Sequence, residues 1–324
     1  MPNAYYSTSF VQYPLLMNLL QIDDVVKQFQ DFTAVNHVSF DVPRGCTFGM
    51  LGPNGAGKTS LIRIITSITR ADGGRVFFDG QPLRPEHSEK IGYMPEERGL
   101  YKKDKVGEGL VYLAQLRGMS RADAVREVRW WLDRLGLLDW SEKKAEDLSK
   151  GMQQKLQFIA TVVHKPQLLI LDEPFTGLDP INANLLKDEI MRLRDEGATV
   201  IFSTHRMEQV EELCDHIVLI NRGQNILQGE VKEVRNRYKE NLFRLDYSGE
   251  LPEHFAENMD IRHQQAGSIV VKIADANPNI LLRSALDTGI TIRSLNEILP
   301  SINDIFIQRV GQSNDASEPK TVTP

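Results

Sequence analysis

The hydrophobic pattern of the chain begins with the alternation that is typical of strands. Apolar and polar residues alternate over residues 18–50, as in LLQIDDV and VNHVSFDV, and a turn is predicted at 43–45. A short apolar run at 48–51 leads into a glycine-rich loop, and the segment LIRIITSI behind that loop has helical spacing. RVFFDG at 75–80 predicts a further strand that ends in a turn.

Helical periodicity replaces the strand pattern over residues 105–163. Ser120 and Asp123 have the spacing of a helix N-cap and its box partner, and the residues that follow place apolar side chains on one face. Gly136 is in a position to end this helix. Trp131 lies on the apolar face, and core packing explains it without a bound cofactor.

Strands return after the helical region. Apolar runs at 168–171, 199–203 and 217–220 predict strands, and 181–196 predicts a helix between two of them. A strand–helix–strand succession favours parallel strands covered by helices. The expected fold class is therefore α/β, with a mainly parallel sheet, an antiparallel β portion and a helical subdomain over about 105–163.

A smaller α+β unit is predicted behind this domain. NLFRLDY, SIVVKIA and ITIRSL have the composition of strands, and 277–288 and 300–309 have helical spacing. The expected division is given by four segments: a flexible N-terminal extension over 1–17, a main domain over 18–238, an accessory domain over 239–311 and a disordered tail over 312–324.

Composition limits the possible partners. The net charge of -6 gives no broad basic surface, so nucleic acid is not an expected partner. Cys46 and Cys214 have neither metal-ligand nor redox spacing. No apolar run approaches the roughly 18 residues that a membrane-spanning helix needs.

The glycine loop predicts a site for ATP. It reads GPNGAGKT between a predicted strand and a predicted helix, which is the pattern and the context of a P-loop. Glycines let backbone N–H groups surround phosphate oxygens, and the helix presents its positive end to the same anion. Lys58 would reach the β- and γ-phosphates, and Thr59 would ligate Mg²⁺. The residues expected to hold ATP are Gly52, Pro53, Asn54, Gly55, Ala56, Gly57, Lys58, Thr59 and Ser60.

Two carboxylates follow the apolar run LLIL. Asp172 and Glu173 come where this predicted strand reaches the surface, and ligands bind at the carboxyl ends of strands in such sheets. Asp172 would hold Mg²⁺, and Glu173 would polarise the attacking water as a general base. An acidic pair at a strand end has no such meaning alone, but beside a P-loop it indicates a hydrolytic site.

Three further motifs carry a family resemblance. LSKGMQQ at 148–154 resembles the signature of ABC ATPases, GLDP at 177–180 their D-loop, and STH at 203–205 their switch histidine. With the P-loop and the acidic pair, these motifs extend the resemblance over about 18–235. The resemblance implies a P-loop NTPase core for the predicted α/β domain.

The resemblance also implies how a complete site is formed. In the family, two nucleotide-binding domains dock head to tail, and each ATP lies between the P-loop of one and the signature of the other. Ser149, Lys150 and Gly151 would then contact the nucleotide of a second copy, in a homodimer, together with Asp179 of the D-loop. His205 would contact the γ-phosphate in its own chain. Phe29 matches the aromatic residue that stacks on adenine, although Phe32 is a competing candidate.

The chain departs from the family at three functional positions, one of which is Phe29 in place of the commoner tyrosine, a change that leaves stacking intact. Lys150 stands where the signature has glycine, and it either adds positive charge near the nucleotide or points to solvent. Glu96 stands where the family has the glutamine of its Q-loop. A carboxylate could still reach Mg²⁺ or water, so Glu96 joins Thr59 and Asp172 as an expected metal-site residue.

The single ATPase half implies a transporter subunit. A separate membrane-spanning permease would then be its partner, and the chain would lie at the cytoplasmic face of the membrane. The C-terminal unit, ending in SINDIFIQRV, resembles the accessory domain of bacterial ATPases for sodium, drug or peptide export. The alternative is a soluble ABC-type ATPase that acts on ribosomes or nucleic acid, a type that usually has two fused halves or long insertions.

Overall fold

The structure, a computed structural model, describes residues 18–97, 99, 103–252, 255, 259–274 and 276–315. The predicted extension over 1–17 lies outside this part of the chain, as does 316–324 of the predicted tail. The strands are Asn18–Phe29 (β1), Phe32–Pro43 (β2), Thr47–Leu51 (β3), Gly73–Phe78 (β4), Gln81–Pro82 (β5), Ile91–Met94 (β6), Leu168–Asp172 (β7), Thr199–Thr204 (β8), His216–Asn221 (β9), Gln224–Glu230 (β10), Leu242–Ser248 (β11), Asp260–Gln265 (β12), Ser268–Lys272 (β13) and Thr291–Ile298 (β14). The helices are Lys58–Ile65 (α1), Val106–Leu116 (α2), Arg121–Arg134 (α3), Lys150–Val162 (α4), Pro180–Asp195 (α5), Met207–Leu213 (α6), Val231–Arg237 (α7), Asn279–Asp287 (α8) and Ile302–Asp315 (α9).

These elements form two compact units. The first runs up to His205 and adds Ile220–Asn225, and the second combines Arg206–Leu219 with the chain from Ile226 onward. The second unit therefore takes in more of the chain than the predicted domain over 239–311. Helix α9 also continues to Asp315, which extends ordered structure into the predicted tail over 312–324.

A parallel sheet aligns the ends of three strands in the first unit. Its strands lie in the order β3-β8-β7-β6, and each neighbouring pair is parallel. Its register pairs Leu51 with Thr204 and Asp172 with Ser203. Because β3, β7 and β8 are parallel and end at the same level, the loops that follow them must emerge side by side. Residues 168–172 and 199–204 are buried throughout, since both faces of these strands are covered.

The predicted antiparallel portion is a second sheet in the same unit. Its four strands lie in the order β2-β1-β4-β5, and β1 pairs with both β2 and β4 in antiparallel register. The alternation of buried and exposed side chains along β1 and β2 agrees with one covered face.

The helical region has the caps that its sequence predicts. Ser120 Oγ accepts a hydrogen bond from Asp123 N at 3.1 Å at the start of α3, and Gly136 has a φ of 69° just beyond its end. Trp131 is buried and makes an edge-to-face contact with Phe158 of α4, with ring centroids 5.7 Å apart. This contact fixes α3 against α4, as core packing of the apolar face requires.

The second unit has its own sheet and core. Its antiparallel strands lie in the order β12-β13-β11-β14, and β11 pairs with both β13 and β14. Phe243, Leu245, Ile269 and Leu281 belong to its buried cluster. Strand β12, of sequence DIRHQQ, was not predicted, because an exposed edge strand need not alternate apolar and polar residues.

No helix within the described ranges is long and apolar enough to cross a membrane.

Gly92 sets the distance between β6 and α4. A Cβ at this position would lie 2.5 Å from the Thr161 carbonyl oxygen. We expect Gly92→Ala to lower the free energy of unfolding by about 1–3 kcal/mol, since backbone atoms must move to make room. Gly109→Ala is the control, because its Cβ would have Asp104 Cβ at 3.8 Å as its nearest neighbour among the described residues, and alanine suits helix α2 better than glycine. Denaturant unfolding of both variants measures the difference, and equal stability would contradict this account.

Candidate active site

A cleft of about 350 Å³ opens at the carboxyl edge of the parallel sheet. The register places the loops after β3, β7 and β8 there, so residues far apart in sequence meet. The cleft is lined by Phe32, Ala34, Asn54, Gly55, Ala56, Gly57, Lys58, Thr59, Ser60, Glu96, Asp172, Glu173 and His205. All of these residues except Phe32 and Ala34 are site residues that the sequence predicts, and Phe32 is the alternative to Phe29 as the ring that stacks on adenine.

Two glycines of the loop occupy positions that no other residue could take. Gly52 has a φ of 146°, and a Cβ there would lie 2.1 Å from the Ile220 carbonyl oxygen. Gly57 has a φ of 108° at the N-cap of α1, and its Cβ would lie 2.2 Å from the Ala34 carbonyl oxygen. The loop therefore packs backbone against backbone at these two positions, which only residues without a Cβ allow.

Lys58 folds back over this loop. Its side chain is only 9% exposed, and Nζ donates hydrogen bonds to Gly52 O at 2.7 Å and Pro53 O at 3.1 Å. Burial lowers the pKa of Lys58, while Asp172, Glu173 and Glu96 act in the opposite direction. The ammonium group is thus a buried cation held at the mouth of the loop, suited to an anionic ligand.

Asp172 ends strand β7 inside the cleft. Its side chain is 5% exposed, and burial raises its pKa; Glu96 and Glu173 raise it further, whereas Ser203 and Lys58 lower it. A cation beside this carboxylate would offset both the burial and the neighbouring negative charges. With the Thr59 hydroxyl, the carboxylates of Asp172 and Glu96 supply the hard oxygen donors that Mg²⁺ prefers.

These donors do not form a metal cage by themselves. Among the described residues, no group of three or more His, Cys, Asp and Glu side chains could hold a metal ion. Mg²⁺ is commonly held by one or two protein oxygens together with water and substrate phosphates, so the donor set fits a metal that arrives with a nucleotide.

Glu173 has a backbone conformation that is unusual for its residue type. Its φ is 49°, and its N–H donates to Ser203 O at 2.9 Å. Glu173 Oε1 accepts hydrogen bonds from His205 N at 2.9 Å and from His205 Nδ1 at 2.6 Å, and Thr204 Oγ1 donates to Oε2 at 3.3 Å. A left-handed residue held by several bonds is typical of functional sites, where neighbouring groups maintain the strain.

His205 bridges this carboxylate to the open cleft. Since a carboxylate oxygen accepts at 2.6 Å, Nδ1 carries the proton, and Nε2 remains for a ligand. The His205 side chain is 54% exposed, whereas that of Glu173 is 9% exposed. The pair therefore joins a buried carboxylate to an accessible imidazole.

The signature residues do not lie in this cleft. Ser149 caps α4 and accepts a hydrogen bond from Met152 N at 3.3 Å, and the next residue, Lys150, is exposed. A Cβ on Gly151 would lie 3.6 Å from Leu178 Cδ2, so the signature adjoins the D-loop segment of the same chain. Asp179 caps α5, and the hydrogen bond from Asn182 N at 2.9 Å helps to lower its pKa.

Phe32, rather than Phe29, borders the P-loop. Phe32 lines the cleft at the start of β2, and its side chain is 60% exposed. Phe29 pairs with it across the β1–β2 turn but is not among the lining residues, and Lys27 Nζ lies 5.3 Å from its ring centroid. Both rings are candidates for stacking on adenine by sequence alone, and the geometry of the turn places only Phe32 in the cleft lining.

The fold and the cleft define a P-loop NTPase. The family described as ABC transporter matches residues 35–176, and the family described as ATP-binding protein DrrA1-3-like, C-terminal domain, matches residues 229–310. The chain is 43% identical over 296 residues to the uncharacterized ABC transporter ATP-binding protein YhaQ of Bacillus subtilis (strain 168), covering 90% of this chain and 99% of that protein.

Two further comparisons agree. The chain is 34% identical over 220 residues to the Nod factor export ATP-binding protein I of Cupriavidus pinatubonensis (strain JMP 134 / LMG 1197), covering 67% of this chain and 68% of that protein. A solved structure of an ATP binding subunit of an ABC transporter matches with a TM-score of 0.64 and 29% identity, over 68% of this chain and 93% of that chain.

The chain therefore belongs to the ATP-binding proteins of ABC transporters. It is an ATP-binding and ATP-hydrolysing subunit, and its predicted fold class is confirmed. The alternative of an ATPase that acts on ribosomes or nucleic acid finds no support in these relatives.

Proposed function

We propose that this chain hydrolyses Mg²⁺-bound ATP as a homodimer and thereby drives export through a separate membrane-spanning permease. The observation that carries the proposal is the convergence of Lys58, Asp172, Glu173 and His205 in one cleft at the ends of parallel strands. A buried cation, a buried metal-binding carboxylate and a positioned base are what phosphoryl transfer to water requires.

The roles of the cleft residues follow from their placement. The P-loop amides and Lys58 bind the β- and γ-phosphates. Thr59, Asp172 and Glu96 would hold the metal through their oxygens, and the metal would neutralise charge on the phosphates. Glu173 accepts the proton of the attacking water, while the bond from His205 N to Oε1 orients its carboxylate. His205 Nε2 is left to contact the γ-phosphate.

The position of the signature supports the homodimer. Ser149, Lys150 and Gly151 are outside the cleft that contains the P-loop of their own chain. Ser149 and Gly151 lie at the N-terminus of α4, where the helix dipole favours an anion. A second copy docked head to tail would bring its γ-phosphate to this helix end and Asp179 to the same interface.

A groove beside Glu96 supports a permease partner at the cytoplasmic face of the membrane. It has a volume of about 400 Å³ and is lined by Tyr93, Pro95, Gly99, Leu113, Leu116, Arg117, Gln157, Ala160 and Thr161. Leu116 of α2 lines this groove and is 60% exposed, and Tyr112, one turn earlier in the same helix, is 54% exposed, so α2 offers apolar surface suited to a protein partner. Export is the direction that the name of the Nod factor relative supports.

Purification of the tagged chain from detergent-solubilised membranes tests the permease proposal. We expect a membrane-spanning protein to copurify in a fixed ratio with the wild-type chain and to be lost with Leu116→Arg. Ile68→Arg is the matched control, because Ile68 is 62% exposed in the same unit but does not line the groove. Recovery of ribosomal or nucleic-acid partners instead, with no membrane protein, would overturn the proposal.

Measurements of ATP affinity can decide whether Phe32 or Phe29 stacks on adenine. If Phe32 stacks on adenine, Phe32→Ala should raise the Kd for ATP by roughly 5- to 150-fold, the range expected for losing one stacked base. Phe29→Ala should change it less than about twofold. Calorimetric titration measures both constants, and the reverse order would restore Phe29 as the adenine contact.

The variant Glu173→Gln tests whether Glu173 acts as the general base. The substitution keeps the size of the side chain and an oxygen for the His205 N–H, but glutamine cannot accept the proton of water. We expect ATP to bind with near wild-type affinity and to be hydrolysed at least about a hundredfold more slowly. Single-turnover assays with bound ATP measure this step. Near-normal hydrolysis would exclude Glu173 as the base.

A further inference from the structure

Helix α4 holds the loop that carries Glu96. Gln157 lies in the second half of this helix with a side chain that is 4% exposed. Its Nε2 donates hydrogen bonds to Pro95 O at 2.7 Å and to Glu97 O at 3.3 Å. One amide group thus binds the carbonyls on both sides of Glu96.

The packing around this amide leaves little freedom. Gly92 of β6 lies so close to α4 that a Cβ would meet the Thr161 carbonyl oxygen at 2.5 Å. Thr161 Oγ1 in turn donates to the Gln157 carbonyl oxygen at 2.9 Å, one turn earlier in the helix. The strand that leads to Glu96 and the helix that carries Gln157 therefore pack as one layer.

Glu96 is electrostatically linked to the cleft. Its carboxylate raises the pKa of both Lys58 and Asp172, although burial is the largest effect on each. The side chain is exposed and belongs to the cleft lining. An exposed carboxylate on a loop needs its backbone fixed if it is to meet a metal at a defined distance.

We propose that Gln157 is a positioning residue that fixes the Glu96 carboxylate, and so connects the signature helix to the metal site of its own chain. This inference rests on the proposed role of Glu96 toward Mg²⁺. The same helix holds the other acidic loop, because Gln154 Nε2 donates to Pro174 O at 3.0 Å, next to Glu173. A shift of α4 when its N-terminus binds the nucleotide of a second copy would be transmitted to Glu96 through the amide of Gln157.

Gln157→Met removes the donor with little disturbance of the core. Methionine has a similar length, and the buried Gln157 Oε1 has no hydrogen-bond partner among the described residues, so nothing is lost on that side. Thr161→Val is the matched control, since it removes a buried hydrogen bond from the same helix that does not reach the loop. Thermal unfolding verifies that both variants fold.

The test measures metal binding directly. Mn²⁺, which accepts the same oxygen ligands as Mg²⁺, is titrated into full-length protein loaded with a non-hydrolysable ATP analogue and followed by electron paramagnetic resonance. We expect Gln157→Met to weaken Mn²⁺ binding about tenfold, the lower end of the range for losing a group that orients a ligand. Binding of the analogue without metal should be unchanged, and Thr161→Val should bind Mn²⁺ like the wild type.

The variant Glu96→Ala distinguishes the metal role of Glu96 from the positioning role of Gln157. We expect Glu96→Ala to weaken Mn²⁺ binding, and the double variant Glu96→Ala/Gln157→Met to be no weaker than Glu96→Ala alone, because both changes act through one carboxylate. If Glu96→Ala has no effect, the proposed metal role of Glu96 fails. If Glu96→Ala weakens binding but folded Gln157→Met does not, or if the two effects add, the positioning role of Gln157 fails.

Discussion

The ammonium group of Lys58 is buried beside carboxylates at the edge of the parallel sheet, and the position of these charges depends on several elements of the first unit. Lys58 has its Nζ bonded to Gly52 O and Pro53 O, and Asp172 lies within its electrostatic reach. Burial opposes the charged form of both groups, so the site is costly unless a phosphate and a cation complete it. The glycine loop, the strand register and the strained backbone of Glu173 each serve this arrangement.

Helix α4 connects the signature residues at its N-terminus to the two loops that carry the acidic residues of the cleft. Its N-terminus carries Ser149 and Gly151, which are outside their own cleft, while Gln154 and Gln157 further along reach the loops of Glu173 and Glu96. A rigid helix transmits a displacement of one end to the other. A nucleotide that shifts the signature end of α4 would therefore also shift the two loops that carry Glu96 and Glu173. This is a physical basis for coupling the two sites of the proposed homodimer.

The second unit includes α6, the helix that follows His205 in the sequence. Helix α6 begins two residues later in sequence, and its Glu211 accepts a hydrogen bond from Ile302 N at 2.6 Å at the start of α9. Arg235 of α7 lies 3.4 Å from the same carboxylate and donates to Pro300 O at 3.0 Å. Within this unit, the start of α9 and Pro300 just before it are thus bonded to α6 and α7.

The sequence by itself predicted the element types of the long periodic segments and an ATP-hydrolysing site. The P-loop and the acidic pair are local patterns whose residue types suit phosphate and metal binding, whereas the roles of the signature and His205 are implied by the family resemblance. Tertiary structure decided what depends on distance. It separated Phe32 from Phe29 through a turn, showed Gln157 bound around Glu96, and added the polar edge strand β12. The hydrogen bonds of Gln157 leave no periodic signal, because bonds between residues 60 or more positions apart form only once the sheet and helix α4 have packed together.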